Sequence, residues 1–506
     1  MRYPYGSPAM TRLCLLVGGA ALFCVLATQN AGGYRYGVQD QAFYIPAVVR
    51  HLDPTLYPND ADLIDAQDQF LAFDEATARL MLATGWSLPG VFLAGHLVSL
   101  VFLFASAVGL GRAFYRSWWA VAGLAFALTL RHYVSDTGVN TLEGYFHPRM
   151  LAFAVGTVAL LLFVRRRPWL ALAVAAIAGF LHPTVGFWFV IWLGVAVAVA
   201  EPRARRALTR AAIAGLATAA VFVLTGPFRD QLVLMGETWI GALFFRDYLF
   251  PHDWPWTTWV ANLGYGVTIG AMYWYRRSAV GVSAQETGLV VGCSVLLLIF
   301  FLSLPLVAAG LALVVQIQVA RIFWLLDFFW TVYFVWLLIE SPSRSQWGLP
   351  TVRVRYAGLA LFAVGAIVRG GYVMGVEFPD RALFQSRSAS GDWQAVMEWS
   401  ARTPAGTNLL LHPGHAGRYG SSARAAAQRD VYLEDKDGGM AIYSREVARR
   451  VSDRRRDLGD FTTLDAARAS ALARKYDLQY LITIQDMDLP VAHRSGPFTV
   501  YDLNRR

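Results

Sequence analysis

Met150–Arg210 reads MLAFAVGTVALLLFVRRRPWLALAVAAIAGFLHPTVGFWFVIWLGVAVAVAEPRARRALTR, and this stretch decides the fold. Apolar runs are divided by Arg165, Arg166 and Arg167, then by the LHP sequence at Leu181–Pro183, and finally by the basic tail after Ala200. The two halves of Pro168–Ala200 have roughly 15 to 17 residues each, short for a full crossing at ~1.5 Å per residue. Both flanks are rich in arginine, which belongs on the cytoplasmic side of a membrane. The run therefore reads as two short helices that meet at an outer turn containing His182.

The rest of the chain has the same grammar. Of 506 residues, 56% are hydrophobic and only 16% charged, too apolar for a soluble protein of this length. The net charge of +9 comes almost wholly from arginines in short runs between apolar spans, lysine occurring only at Lys436 and Lys475. That pattern is topogenic and argues against nucleic-acid binding. Cys14, Cys24 and Cys293 all fall in apolar spans, so no disulfide framework or cysteine-based zinc site is available outside the membrane.

Working outward, the first span is Thr11–Ala31, preceded by Arg2 and Arg12. The second runs from Pro89 to Leu110 and ends at Arg112 and Arg116; the third starts at Trp118 and surfaces at Arg131 and His132. Ala211–Gly226 is the seventh, an eighth ends at Arg276 and Arg277, and Thr287–Ala308 is the ninth. Arg321–Ile339 is the tenth, ending before Arg344, Arg353 and Arg355, and Tyr356–Val368 the eleventh. Arginine occurs in every inner segment, which makes an N-in, C-out helical bundle of about eleven spans self-consistent. Residues 1–376 form the membrane domain, with outer loops at 32–88, 131–149 and 227–256, and residues 377–506 an extracytoplasmic domain. In that domain Asp392–Arg402, Ala441–Arg456 and Leu464–Tyr476 read as helices. Asn408–Leu411, LQYLITI and FTVYDL read as strands, giving a small α/β sheet.

The outer loops hold the candidate chemistry. YGVQDQAFYIPAVVRHLDPTLYPND, Tyr36–Asp60, places Asp40 a few residues beyond the first span, where a carboxylate can deprotonate an acceptor hydroxyl. The alternative is an N-cap for the amphipathic helix that begins near Gln41. SDTGVNTLEGYFHPR adds Asp136, Glu143, His147 and Arg149. Carboxylates from both loops, Asp40 and Asp136 foremost, are candidate ligands for Mg²⁺ or Mn²⁺, although no tight DxD pair is present. Arg149 and Arg321 are candidate phosphate ligands, and His147 and His182 candidate substrate contacts. Asp327, six residues after Arg321, does not stack on it as an i,i+4 pair and needs a buried partner. Asp247, His252 and Asp253 could bind acceptor or metal but read first as a solvated loop; HPGHAGRYG, after a strand, has the look of a phosphate cradle without the helix to complete it, and LEDKDGG reads as an ordinary turn.

An outer loop with an early Asp, a second loop ending YFHPR, a short LHP hairpin, an Arg-led QVARIFW span and a C-terminal α/β region together resemble the bacterial polytopic proteins related to GT-C glycosyltransferases. The resemblance covers most of the chain in layout. It implies an inverting transfer of a sugar from a polyprenyl-phosphate donor to a glycan, lipid or protein acceptor, at the outer face of a bacterial inner membrane. The first-loop acidic residue of that family maps to Asp40, and its second-loop acidic position to Asp136 or Glu143, which makes Asp40 and Glu143 the catalytic candidates. Gln41 departs from members with a paired Asp-Glu in the first loop, so a relative without activity, acting as an envelope scaffold, is the alternative. A secondary transporter fits less well, because no pair of segments repeats.

Overall fold

The computed structural model describes residues 8–68, 70–226, 228–243, 246–342, 351–386 and 391–504; Arg2 and Arg344 of the expected inner segments lie outside them. Seven described helices are long and apolar enough to cross a membrane: Met10–Asn30, Leu88–Phe114, Pro183–Ala200, Pro202–Thr225, Ala284–Ala308, Ala312–Ile339 and Arg355–Glu377. Trp118–Leu128, Pro148–Val164 and Pro168–Leu181 are shorter apolar helices, and Trp256–Val280 is a longer one of mixed composition. The chain is a helical, multi-pass membrane protein with a small sheet region.

The LHP break forms as its chemistry dictates. A residue before proline is pushed out of the helical region, and His182 is extended at φ −152° and ψ 103°. Pro183 then opens the next helix, where its missing N–H has no cost. The His182 ring accepts from the Val185 N–H at 3.4 Å as an N-cap. Pro168–Leu181 and Pro183–Ala200 pack on each other so closely that a Cβ on Gly186 would lie 2.1 Å from the Gly179 Cα.

Ile322–Ile339, IFWLLDFFWTVYFVWLLI, is apolar all round and sits at the centre of the bundle. Trp324 stacks on Phe153 with ring centroids 3.8 Å apart and planes 7° off parallel. Its one carboxylate, Asp327, finds the buried partner it needs in His132, whose Nδ1 lies 3.0 Å away. Arg276, expected in a basic turn, is buried instead. It bonds Glu286 at 2.8 Å and the Phe114 carbonyl at 2.7 Å, because a guanidinium near a helix end can turn inward where a carboxylate and a carbonyl both face it.

Beyond the bundle, β1 (Tyr34–Arg35) and the hairpin of β2 (Tyr133–Val134) and β3 (Val139–Asn140) belong to the first two loops. β1 pairs in parallel with β4 (Phe384–Gln385), tying the first loop to the chain after the last apolar helix. Five strands then form one sheet: β5 (Asn408–Leu411), β6 (Asp430–Val431), β7 (Tyr480–Thr483), β8 (Val491–Ser495) and β9 (Phe498–Asp502), in the order β6-β5-β7-β9-β8. β5 runs parallel to β6 and β7, whereas β9 is antiparallel to both of its neighbours. Helices Gly391–Ser400, Arg445–Leu458 and Ala466–Tyr476 accompany it, each within a few residues of expectation.

Asp60, at the end of the Tyr36–Asp60 stretch, is buried. It is 1% exposed, bonded by Arg424 Nε at 2.8 Å, by the Val431 N–H at 2.9 Å and by Arg450. Tyr57 donates to the Arg424 carbonyl at 2.9 Å. The first loop is thus built into the α/β region. A buried carboxylate is tolerable only when charge and hydrogen bonds both reach it, as they do here.

Candidate active site

Two left-handed positions bend the first loop before it enters the Gln41–Leu52 helix. Gly37 takes φ +80° and Gln39 φ +53°. Gln41 fixes the bend, its Oε1 accepting from the Gly37 N–H and its Nε2 donating to the Phe146 carbonyl, both at 2.7 Å. Asp40 occupies the N-cap position of that helix, yet its side chain makes no capping bond. Its carboxylate turns instead to two cations: Lys436 Nζ is 2.9 Å from one oxygen and Arg149 Nη2 is 3.5 Å from the other.

The second loop comes in over the first so tightly that a Cβ on Gly144 would stand 2.4 Å from the Gly33 carbonyl oxygen. That approach delivers Glu143, His147 and Arg149 together. Glu143 receives Arg149 Nη2 at 2.9 Å on one oxygen and lies 2.7 Å from His147 Nε2 on the other. Arg149 stands in the first turn of Pro148–Val164, where a cation opposes the helix dipole. Glu143 and Asp40 offset that cost.

Charge sets the protonation of these groups. Burial pushes the Asp40 carboxyl up, but Lys436, Arg149 and His147 outweigh it and hold the group well below the usual carboxylate range. Glu143 follows the same logic, burial being overcome by Arg149 and His147. Burial lowers His147 further than Glu143 raises it. His147 Nδ1 and Arg149 Nε have no hydrogen-bond partner among the described residues.

Asp40, Glu143 and Arg149 line one cleft of about 410 Å³ together with Asp136, and Arg35, Arg131, Arg246 and Lys436 add positive charge to its walls. Asp136 contributes from a left-handed position, φ +48°, and its oxygens accept from Tyr133 at 3.4 Å and from Thr258. A second cavity of about 250 Å³ shares Asp136 and Asp247 with this one and includes His252 and Asp253, so the third loop reaches the site. His182 and Arg321 do not line the cleft. His182 is the helix cap described above. Arg321 is 5% exposed, lies over the Tyr248 ring at 5.8 Å, and leaves Nε and Nη1 without partners among the described residues.

Lys436 is the site residue that sequence reasoning missed. The LEDKDGG turn is not ordinary: the Asp437 carboxylate accepts from Arg424 Nη1 and from the Glu434 N–H, both at 2.9 Å, and this buried network aims Lys436 at the cleft. The signal was composition, since Lys436 is one of two lysines in a chain that otherwise uses arginine.

Asp40 and Asp136, the carboxylates considered for a divalent ion, line the same cleft as Glu143 and Asp247. Among the described residues no three His, Cys, Asp or Glu side chains gather to hold a metal, and the oxygens of Asp40 and Asp136 already face cations or hydroxyls. What the arrangement offers is a carboxylate and several fixed cations around a space for a polar, anionic ligand at the mouth of an apolar bundle.

No family model and no curated protein matches the chain. Among solved structures it is similar to archaeal oligosaccharyltransferase AglB from Archaeoglobus fulgidus in complex with an inhibitory peptide and a dolichol-phosphate, at TM-score 0.46 and 11% identity, over 92% of this chain and 69% of that one. It is also similar to the apo form of the Archaeoglobus fulgidus oligosaccharyltransferase, at TM-score 0.42, with 11% identity and the same coverage.

Proposed function

We propose that the chain is a membrane glycosyltransferase that moves a sugar from a polyprenyl-phosphate donor to a hydroxyl-bearing acceptor, with inversion at the anomeric carbon. The observation that carries this reading is the convergence of Asp40, Arg149 and Lys436 in one cleft at the mouth of the bundle. In the topology that goes with it, the chain has about eleven spans in a bacterial inner membrane. Residues 377–506 form an extracytoplasmic domain, and the cleft faces outward.

The donor phosphate enters the cleft between Arg149 and Lys436, with the buried Arg321 adding positive charge from behind the Tyr248 ring, while its lipid chain stays between helices. A carboxylate clamped by two cations is a weak base. The phosphate competes for the same cations, and as Lys436 and Arg149 turn to it the basicity of Asp40 rises. Asp40 then takes the acceptor hydroxyl proton, and the acceptor oxygen bonds the anomeric carbon. The bond from that carbon to the phosphate oxygen breaks, its electron pair leaving on the phosphate, where the arginines and Lys436 neutralise it. Glu143 holds Arg149 in place throughout.

The test is transfer of radiolabelled sugar from polyprenyl-phosphate donors in proteoliposomes. Wild type transfers, Asp40→Asn loses roughly 10² to 10⁴-fold in rate, and Arg321→Ala weakens donor binding. No transfer across a broad donor and acceptor panel, or an unimpaired Asp40→Asn, sinks the proposal in favour of an envelope scaffold.

A further inference from the structure

A groove of about 930 Å³ separates the Pro8–Asn30 helix from the pair Leu88–Phe114 and Trp118–Leu128. It lies away from the cleft that holds Asp40. The first helix meets the pair near Phe23, whose ring centroid is 5.6 Å from that of Phe104, and the space opens toward the end where Pro8–Asn30 begins and Leu88–Phe114 finishes. Leu15, Leu16 and Leu22 are exposed along it.

The groove's two cations are both at that open end. Arg12 and Arg112 line it with Trp118 and Trp119, and no carboxylate is among its lining residues. Arg112 is oriented, with its guanidinium 4.6 Å over the Trp118 ring and Nη1 donating to the Arg116 carbonyl at 3.4 Å. Glu340, at the same end of the bundle, is taken up by the backbone N–H groups of Arg116 and Ser117, and among the described residues neither arginine has a carboxylate partner. Between Arg12 and Leu26 the helix rises about 21 Å, more than the ~15 Å hydrocarbon half of a bilayer. An acyl chain therefore fits along the groove with its head group between the arginines. Tryptophans at that level match the membrane interface.

We infer that this groove is a binding site for an anionic phospholipid, its phosphate on Arg12 and Arg112 and an acyl chain in the cleft between the three helices. The occupant is chosen by charge complementarity: an apolar lining alone would accept any chain, but two unopposed cations at one mouth select a negative head group. The site shares no lining residue with the Asp40 cleft and does not depend on the activity proposed for that cleft.

The experiment uses the purified full chain in neutral detergent, with native mass spectrometry and thermal unfolding read against added dioleoyl phosphatidylglycerol or dioleoyl phosphatidylcholine. Two cations near the head group give the anionic lipid a preference of roughly 30-fold. Arg12→Gln with Arg112→Gln removes that preference. Arg165→Gln with Arg167→Gln, at another basic turn, keeps it. Ala125→Phe, which fills the groove without touching charge, reduces binding of both lipids. Equal binding of the two lipids by wild type overturns the assignment, as does a preference that survives in the Arg12/Arg112 variant or falls equally in the control pair.

Discussion

Lys436 Nζ sits 2.9 Å from Asp40 Oδ1, although 396 residues separate them in the chain. Asp40 is a few residues from the first apolar helix, and Lys436 is in the α/β region beyond the last one. The proposed catalytic carboxylate and one of its cations therefore meet only when the two parts of the chain are docked.

The first prediction concerns that lysine. In the proposed mechanism it neutralises charge that develops on the leaving phosphate, a role whose loss costs roughly 10² to 10³-fold in kcat. Lys436→Met should fall by that amount while the protein remains folded, and Lys436→Arg should recover part of the rate. A Lys436→Met protein as fast as wild type removes Lys436 from the mechanism.

A second prediction follows from the electrostatics of the resting site. Lys436, Arg149 and His147 hold Asp40 well below the usual carboxylate range. The acid limb of kcat/KM, which reports the free enzyme, should therefore lie at low pH. Donor phosphate draws the cations away, so the acid limb of kcat, which reports the bound complex, should lie at higher pH. The limbs are read from rates in proteoliposomes over a pH series. Coincident limbs, or the reverse order, are incompatible with cation exchange between Asp40 and phosphate.

Gln41 gives a third. An acidic residue here matches the pattern of the family that the sequence resembles, but Gln41 Nε2 donates to the Phe146 carbonyl at 2.7 Å. Gln41→Glu would set a carboxylate oxygen against a carbonyl oxygen in a fully buried place, a loss of about 1 to 3 kcal/mol. Lower thermal stability and no gain in transfer are expected. A stable, faster Gln41→Glu protein would show that the bend tolerates an acid and uses it.

Much of this was legible in the sequence. The arginine-bounded apolar runs marked helices, and the LHP break followed from the backbone chemistry of proline. Three β-rich stretches after residue 377 became β5, β7 and β9. Asp40, Glu143 and Arg149 were candidates by residue type, because ionisable groups at span ends are costly to hold without a partner. What could not be read was partnership across long separations. Nothing local links Lys436 to Asp40, Arg424 to Asp60 or His132 to Asp327, since each pair is brought together by packing of helices and loops far apart in the chain. For the same reason His182, suggestive by its place in a turn, proved to be a helix cap.

The fourth prediction concerns the clasp between the first loop and the sheet. Asp430 accepts from the Asn59 N–H at 3.2 Å, from Asn59 Nδ2 at 3.0 Å and from the Asp60 N–H at 2.9 Å. Burial, and then the neighbouring Asp60 carboxylate, push Asp430 up to about 6. For Asp60 burial works upward too, but Arg424, Arg450 and Arg454 overcome it and the group is depressed. The two shifts act in opposite directions on stability. A carboxyl raised in the folded state stabilises fully below the unfolded value of ~3.9, and that contribution is lost as pH climbs through about 6. The depressed Asp60 contributes above the unfolded value and loses its contribution as the solution becomes more acid. Asp430 therefore contributes a component of stability that declines as pH rises from 4 toward 6 and then levels, read as the difference in unfolding temperature between wild type and Asp430→Asn. Asp430→Asn cannot titrate. Its unfolding temperature is expected to be lower at acid pH, because an amide replaces one acceptor, and the gap to wild type is expected to narrow as pH rises from 4 toward 6. Unfolding followed by tryptophan fluorescence in micelles at closely spaced pH values separates the cases. An identical decline in Asp430→Asn would assign the titration to another group and leave the clasp insensitive to pH.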